Sequence, residues 1–396
     1  MPTVDRSTSG SGLLDVVRAV EPVIRKHAAD AEHDRRLSEV VAHAMRDHGL
    51  YRTWRPKAFG GHEADPMTAF QLFEEVSRID SAAGWNLQLS CGADAFGAWF
   101  PDDGAQEIFG AADAIIAGAF FPSRRATPVD GGYRVTGRTP FVSGVHHCTW
   151  FIGLANIIEH DAPRLWDNGA PVTLITACPI GKATIVENWN TLGMRGTGSH
   201  DVIMNDVFVP ERHTTLLVPL DKPGSAYRGP LYRFTSWAAI AALSTVATGV
   251  ARAAIDDFIE LAKAKSPAYT ARPLKDRGIV QAQLARAEAA LESARAYLYQ
   301  SARDTWNMVE KGPTIDMPHK TRMQLAATNA VTAATAAVDL IQAAAGTTGI
   351  REQHRFERHF RDVHTISQHG FISASRFESV GQLLLDVPVE WPFYGL

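Results

Sequence analysis

The sequence predicts an α+β protein in which helical segments flank a β-rich middle region. Apolar residues recur at helical spacing before residue 115 and again after residue 231. Residues 115–220 instead form short runs rich in Val, Ile, Thr and Phe that Gly and Pro interrupt. We therefore predict a helical domain over 13–115, an antiparallel β domain over 116–220 and a helical bundle over 232–396.

The N-terminal elements follow from apolar spacing and from helix-end signals. Residues 1–12 are rich in Ser, Thr and Gly and predict a disordered tail. The spacing over 13–49 predicts one helical run that ends at Gly49, a favourable C-cap residue. Two further helices are expected over 67–78 and 81–100.

The remaining elements divide into strands and long helices. Asp130-Gly131-Gly132 is a hairpin signal, and the alternation over 202–208 is typical of a strand. Long Ala-rich segments predict helices over 238–264, 276–311 and 320–345, with a last helix over 372–385. Four such helices favour a bundle.

Composition and missing motifs exclude several classes of protein. A net charge of −4 with interspersed charges does not favour a nucleic-acid binder. Three widely spaced cysteines indicate neither a disulfide framework nor a zinc site, and no metal is expected. The sequence has no G-x-G-x-x-G fingerprint for a dinucleotide and no uninterrupted apolar run of about 20 residues. We expect a cytoplasmic protein.

Four stretches, in order along the chain, resemble the acyl-CoA dehydrogenase superfamily. They are GLYRTWRPKAFGG (49–61), GGYRVTGRTPFVSGVHHCTW (131–150), WNTLGMRGTGSHDVIMNDVFVP (189–210) and IQAAAGTTG (341–349) with FRDVHTISQHG (360–370). The resemblance implies that the middle domain is an antiparallel β-barrel and that the last domain is a four-helix bundle. Val142-Ser143-Gly144 followed by Trp150, together with GMRGTGSHD, is similar to the two-component flavin monooxygenases, which include hydroxyphenylacetate and secosteroid hydroxylases.

The expected position of the dehydrogenases' catalytic base favours an oxygenase. The superfamily's dehydrogenases carry a catalytic Glu about nine residues after an Arg-Asp pair, and here Arg361-Asp362 is followed at that spacing by Gly370. Removal of an α-proton from an acyl thioester needs a general base, which Gly does not supply. His369 precedes Gly370, and a histidine that titrates near neutrality can donate a hydrogen bond or exchange a proton.

The resemblance also implies which residues form the site. His369 and Ser143 are the candidate catalytic residues, and the alternative for His369 is a surface or capping role. The candidate flavin contacts are Ser143, Gly144, Phe121, Gln342, Gly346 and Arg195. The loop containing Arg195 has a second interpretation, as a turn that joins two strands. The candidate substrate contacts are Cys91, Phe96, Phe120 and Trp150, which would form an apolar pocket.

The resulting hypothesis is the oxygenase component of a two-component flavin monooxygenase. It would take reduced flavin from a separate NAD(P)H:flavin reductase, react with O₂ through a C4a-hydroperoxide, and hydroxylate an apolar, aromatic or cyclic small molecule. FMN is favoured over FAD, because the helix after 265 lacks a match to the residues that hold the adenine half of FAD. The alternatives are an acyl-CoA dehydrogenase-like FAD enzyme with a relocated base and a flavin-free oligomeric scaffold. Relatives form tetramers, so we expect a homotetramer.

Overall fold

The structure is a computed structural model and describes residues 10–217, 223–267, 272–312, 314–389 and 391–395.

Helices occupy the N-terminal part of the chain. They are α1 (Gly10–Asp34), α2 (Glu39–Asp47), α3 (Pro66–Ile79), α4 (Ser81–Ala93) and α5 (Asp102–Phe109). A 3₁₀ turn over Asp94–Trp99 follows α4 directly.

The first helical run is broken where the sequence predicted a single segment. Helix α1 ends at Asp34, and α2 begins after Ser38, whose hydroxyl accepts a hydrogen bond from the backbone N–H of Val41. This N-cap gives a second acceptor to an amide that also donates to the Ser38 carbonyl at 3.1 Å. Gly49 has a left-handed φ of 78°, as expected for the residue after a helix end. The predicted tail lies largely outside the described residues, and Gly10 already belongs to α1.

The middle of the chain forms a mixed sheet. Its strands are β1 (Ile116–Val129), β2 (Gly132–Val142), β3 (Trp150–Glu159), β4 (Ala162–Pro163), β5 (Thr173–Pro179), β6 (Thr184–Val186), β7 (His200–Pro210) and β8 (Thr214–Leu216). The strand order is β6-β7-β2-β1-β3-β5-β8, with β4 paired to β3.

The prediction of a purely antiparallel sheet is wrong, because β1 and β3 pair in parallel. Strands β1 and β2 form the expected hairpin, so β3 occupies the free edge of β1. Strand β2 returns the chain to the end of the sheet at which β1 begins. The segment 143–149 connects β2 to β3 at that end, so β3 runs in the same direction as β1. Closure of this sheet into a barrel stays a prediction.

Helices return after the sheet. They are α6 (Leu231–Ala264), α7 (Gly278–Glu310), α8 (Met317–Ala345), α9 (Phe356–Ile366) and α10 (Arg376–Leu384). The three long helices and the last one correspond to predicted segments, whereas α9 is an additional element. The arrangement as a four-helix bundle stays a prediction. The coarse fold class, α+β with helical ends and a central sheet, is confirmed.

The chain divides into two compact units. Unit 1 contains Met1–Asp65, Asn86–Asn190 and Arg195–Thr235, and unit 2 contains Pro66–Trp85, Thr191–Met194 and Ser236–Leu396. The predicted boundaries at 115/116 and 220/232 follow the change of secondary structure and stay predictions as domain limits.

A buried carboxylate links three helices of unit 2. Glu74 on α3 accepts hydrogen bonds from Arg295 at 2.7 and 2.9 Å, from the Tyr299 hydroxyl at 2.9 Å and from Thr248 at 2.6 Å. These partners lie on α6 and α7, so one carboxylate links three helices. A Cβ at Gly249 would lie 2.4 Å from the Glu74 carbonyl oxygen, so glycine permits the close approach of α6 to α3.

By length and composition, helices at Ser236–Ala264 and Met317–Thr348 are apolar enough to cross a membrane. In the first of them, 89% of the apolar window is buried within the protein, as in the core helix of a globular fold. The corresponding fraction in the second is 39%.

Candidate active site

The predicted site residues are distributed over both units. In unit 1, Ser143 follows the end of β2 and is buried. Its hydroxyl lies 2.7 Å from that of Ser199, which lies 2.6 Å from that of Thr197. Each hydroxyl can both donate and accept, so the three form a continuous hydrogen-bonded chain.

A bulge at the end of β2 sets the position of Ser143. The pairing of β2 with β7 shifts register between Thr139 and Val142, and the inserted Phe141 has a φ of 62°. A β-bulge changes the direction of the strand, and a non-glycine residue in this region of φ is under strain. Gly144 has a φ of 70°, and its N–H donates to the Thr197 carbonyl at 2.9 Å. The backbone therefore fixes the Ser143-Gly144 turn against the loop that carries Thr197.

Next to this turn lies a side chain that the sequence did not indicate. Asn86 on α4 is 5% exposed, and neither its Oδ1 nor its Nδ2 has a hydrogen-bond partner within the described residues. A Cβ at Gly144 would lie 3.4 Å from the Asn86 Cγ. The carboxamide thus packs on the glycine, and both of its polar atoms lack hydrogen-bond partners among the described residues.

Arg195 opens the 3₁₀ turn Arg195–Thr197 and is half-buried. Its guanidinium lies 3.7 Å from the Glu32 carboxylate on α1. Gly198 follows with a φ of 56° and packs on the backbone of Arg35, where an added Cβ would lie 3.1 Å from the carbonyl oxygen. This geometry is that of a tight turn held by α1. A flavin contact by Arg195 stays a prediction.

The predicted aromatic residues are only partly brought together. The rings of Phe96 and Phe120 meet edge to face with centroids 4.7 Å apart. Phe121 is 57% exposed. The Trp150 ring packs edge to face on His213 at 5.0 Å.

Two buried groups flank the turn that carries Phe96. Asp94 begins this turn and lies 3.3 Å from Arg55, and both side chains are fully buried. Burial raises the pKa of Asp94 to about 6, and the Arg55 charge opposes that rise. Cys91 is fully buried, its thiol donates to the Leu50 carbonyl at 3.5 Å, and burial raises its pKa. Cys91 therefore lies in the packed interior beside Leu50, and its contact with a substrate stays a prediction.

In unit 2, His369 lies in the turn after α9 and is half-buried between two aromatic rings. Its ring meets Trp85 edge to face at 5.4 Å and stacks on Phe371 at 5.6 Å. Burial lowers its pKa to about 4, so the imidazole is neutral at physiological pH. The expectation that it titrates near neutrality is therefore corrected. Nδ1 accepts from the Phe371 N–H at 3.4 Å, which leaves Nε2 as the donor.

The other predicted residues of unit 2 lie at the end of α8. Gln342 donates through Nε2 to the Gly349 carbonyl at 2.8 Å, so its amide closes the turn that follows the helix. Gly346 is exposed and has a φ of 59°. Gly370 is exposed as well, with open space where a side chain would begin.

A further feature of unit 2 fixes the segment that precedes Arg195. The Asp362 carboxylate accepts a hydrogen bond from the Met194 N–H at 2.6 Å and another from the Ser81 hydroxyl at 2.5 Å. Met194 has a φ of 54°. A Cβ at Gly193 would lie 2.2 Å from the Arg361 carbonyl oxygen, so this glycine lets the segment contact α9.

Unit 1 has the chemistry that a flavin ring requires. An isoalloxazine ring presents polar atoms along one edge and needs buried donors and acceptors to satisfy them. The hydroxyl chain that ends at Ser143 and the unpaired Asn86 carboxamide meet that requirement. The absence of a side chain at Gly144 lets the Asn86 carboxamide lie against this turn.

Comparison with known proteins gives matches over nearly the whole chain. The family model for the acyl-CoA dehydrogenase N-terminal domain matches residues 13–99, and that for the C-terminal domain matches residues 241–374. Indole-3-acetate monooxygenase of Pseudomonas putida is 32% identical over 94% of this chain and 92% of its own length. The oxygenase subunit of the flavin-dependent monooxygenase HsaA of Rhodococcus jostii is 25% identical over 87% of this chain and 91% of its own.

A solved structure also matches nearly the whole chain. XiaF from a Streptomyces species, solved in complex with FADH2 and glycerol, matches with a TM-score of 0.90. It is 25% identical, and the alignment covers 97% of each chain.

Proposed function

The chain belongs to the acyl-CoA dehydrogenase superfamily, in its flavin-dependent monooxygenase branch, and we propose that it is the oxygenase component of a two-component system acting on an aromatic substrate. In the overall reaction a C–H bond of the substrate becomes C–OH. One atom of O₂ enters the product and the other leaves as water. The reduced flavin supplies the two electrons and is oxidised.

The observation that carries this proposal is the pair His369-Gly370. The superfamily's typical dehydrogenases carry their base at the position that Gly370 occupies, and glycine has no side chain to act as one. His369 has a pKa of about 4 and is therefore a weak base at neutral pH. Its Nε2–H can donate a hydrogen bond, which is the role an oxygenase requires. The aromatic rings of Trp85 and Phe371 limit its access to water.

Ser143 has a separate role in this proposal. Its hydroxyl would hold the N5 edge of the flavin ring, and Ser199 and Thr197 would fix the direction of that hydroxyl. Bound reduced flavin supplies the electrons that activate O₂. Buried hydroxyls that are already oriented need no rearrangement when the charge on a bound group changes.

The substrate and the source of reduced flavin are further parts of the proposal. An aromatic ring would contact the apolar wall that includes Phe96 and Phe120. Indole-3-acetate is a suitable first probe, because the relative from Pseudomonas putida is named for it. A separate NAD(P)H:flavin reductase would supply the flavin, with FMN as the form favoured by the sequence.

The test uses the purified full chain with an independent flavin reductase, NADH, FMN or FAD, and ¹⁸O₂. We expect one ¹⁸O atom in the hydroxylated product and no oxidation of NADH by the chain alone. Activity with an acyl-CoA and an artificial electron acceptor, without oxygen incorporation into any aromatic compound, would support the dehydrogenase alternative. NADH oxidation by the chain alone would contradict the two-component system.

We also propose a cytoplasmic homotetramer. Helix α8 leaves Thr332, Ala336, Asp339 and Ala343 exposed on one face, and three of these four residues are small enough for another helix to approach closely. A monomer mass by light scattering across the micromolar range would contradict this assembly.

A further inference from the structure

We infer that Asn86 is a flavin-binding residue whose carboxamide pairs with the imide edge of the isoalloxazine ring, through its C4 carbonyl and N3–H. This inference rests on the proposed function, because it needs a flavin at the Ser143-Gly144 turn. It adds a specific contact on a residue that neither the sequence motifs nor the family resemblance indicated.

The first argument is the unfavourable free energy of a buried Asn86 amide that has no ligand to bind. The Asn86 side chain is 5% exposed, and both of its polar atoms lack a partner within the described residues. A buried amide without hydrogen bonds is unfavourable by several times the net value of one bond. Native structures contain few such groups, and those that occur mark a ligand, an ordered water or a functional site.

The second argument is position. The carboxamide lies against Gly144, where an added Cβ would be 3.5 Å from Nδ2 and 3.6 Å from Oδ1. Gly144 directly follows Ser143, which ends the hydroxyl chain. The unused amide and the candidate N5-side hydroxyl therefore lie on adjacent parts of one turn.

The third argument is complementarity. A carboxamide offers one donor, Nδ2–H, and one acceptor, Oδ1, side by side. The ring edge presents N5, the C4 carbonyl and N3–H in succession, so a hydroxyl at N5 places the amide beside the next two groups. Asn86 Nδ2 then donates to the C4 carbonyl, and Oδ1 accepts from N3–H. N3–H and the C4 carbonyl are present in oxidised and reduced flavin, so the contact serves both states.

The experiment compares FMN with 3-methyl-FMN, in which a methyl group replaces the N3 hydrogen. Dissociation constants are measured by flavin fluorescence for the wild-type chain and for Asn86→Leu, which is close in size and apolar. We expect methylation to weaken binding to the wild-type chain by about tenfold and binding to Asn86→Leu by less than about threefold, since a net hydrogen bond is worth up to about a factor of ten. Asn86→Asp keeps an acceptor for N3–H and loses the donor to the C4 carbonyl. We expect it to discriminate against 3-methyl-FMN less than the wild-type chain and more than Asn86→Leu.

A matched control comes from the same unit. Thr139 on β2 is also buried with an unpaired hydroxyl among the described residues. Thr139→Val is expected to retain the full discrimination against 3-methyl-FMN. Circular dichroism and melting temperature check the folding of each variant, and Asn86→Ser replaces Asn86→Leu if the latter does not fold.

The outcomes separate this inference from the proposed function. If the wild-type chain binds neither FMN nor FAD, the flavin-dependent function itself fails. If it binds flavin and the Asn86 variants discriminate against the methylated flavin as strongly as wild type, only the assignment of Asn86 is overturned. Equal binding of both flavins by the wild-type chain overturns it as well.

Discussion

The imidazole of His369 meets the indole of Trp85 edge to face, with ring centroids 5.4 Å apart and planes inclined at 75°. The Phe371 ring stacks on the same imidazole, and burial keeps the histidine neutral by lowering its pKa. A neutral ring in a fixed orientation donates a hydrogen bond in one direction, which a mobile surface histidine does not do.

We predict that His369→Ala lowers the rate of product formation by about 10²–10⁴-fold, the usual contribution of a positioned proton donor. His369→Asn keeps an N–H donor and should retain more activity than His369→Ala. Because the pKa is about 4, the wild-type chain and His369→Asn should have the same shape of rate profile between pH 6 and 8. Turnover with ¹⁸O₂ across this range checks both points. Near wild-type rates in both variants would assign His369 a structural role.

The same residue should make the fold less stable in acid. The folded pKa of about 4 lies below the ordinary value of 6.5, so between these values the unfolded chain binds a proton that the folded chain does not. The free energy of unfolding therefore falls as the pH falls from about 6.5 to about 4, by at most about 1.4 kcal/mol per pH unit from this group. In His369→Asn and His369→Phe this part of the slope should be absent. Urea unfolding at pH 5.0, 6.0 and 7.5 measures it, and equal slopes in all three proteins would contradict the prediction.

Ser143→Ala should alter the use of oxygen more than the binding of flavin. One net hydrogen bond is worth about 0.5–1.5 kcal/mol, so flavin affinity should fall by less than about tenfold. The fraction of O₂ that appears as H₂O₂ instead of product should rise clearly. Ser199→Ala leaves the Ser143 hydroxyl in place but removes its 2.7 Å partner, so it should give a smaller rise. Unchanged coupling in both variants would remove the hydroxyl chain from the mechanism.

Glu74 should contribute to stability and not to chemistry. Removal of one partner from a buried ion pair costs about 3–5 kcal/mol, and we expect Glu74→Ala near the lower end because Arg295 is partly exposed. Tyr299→Phe removes a single hydrogen bond to the same carboxylate and should cost about 1 kcal/mol. Urea unfolding gives both values, and flavin affinity of the folded fraction should be unchanged. A loss of flavin binding in folded Tyr299→Phe would show that this cluster affects the site.

The sequence predicted the long helices well and the sheet only in part. The segments that became α6, α7 and α8 carry a sustained apolar pattern, which is the most reliable signal of a helix. Helix α9 was missed because it is short and charged, with Phe356, Val363 and Ile366 as its buried apolar side chains. The parallel pairing of β1 with β3 has no local signal, since a hairpin turn shows only which neighbouring strands are antiparallel.

The site was predicted to a similar extent. Ser143 and His369 were found through motifs, and the structure gives each of them specific partners. Asn86 was missed because α4 is buried on nearly all sides, and its polar residues, which include Gln88 and Ser90, follow no periodic pattern. Its importance depends on the absence of partners within the described residues, which is a property of the three-dimensional arrangement.

The contact between Asp362 and the Gly193-Met194 segment has a consequence for how this family diverges. Glycine is required at 193 by the backbone of α9, and the buried N–H of Met194 requires an acceptor, which the Asp362 carboxylate supplies. Neither requirement arises from the neighbouring sequence, because Arg361 and Asp362 lie about 170 residues further along the chain. Substitutions in one segment should therefore be accompanied by substitutions in the other, and an alignment of homologous chains should show these positions co-varying or jointly invariant.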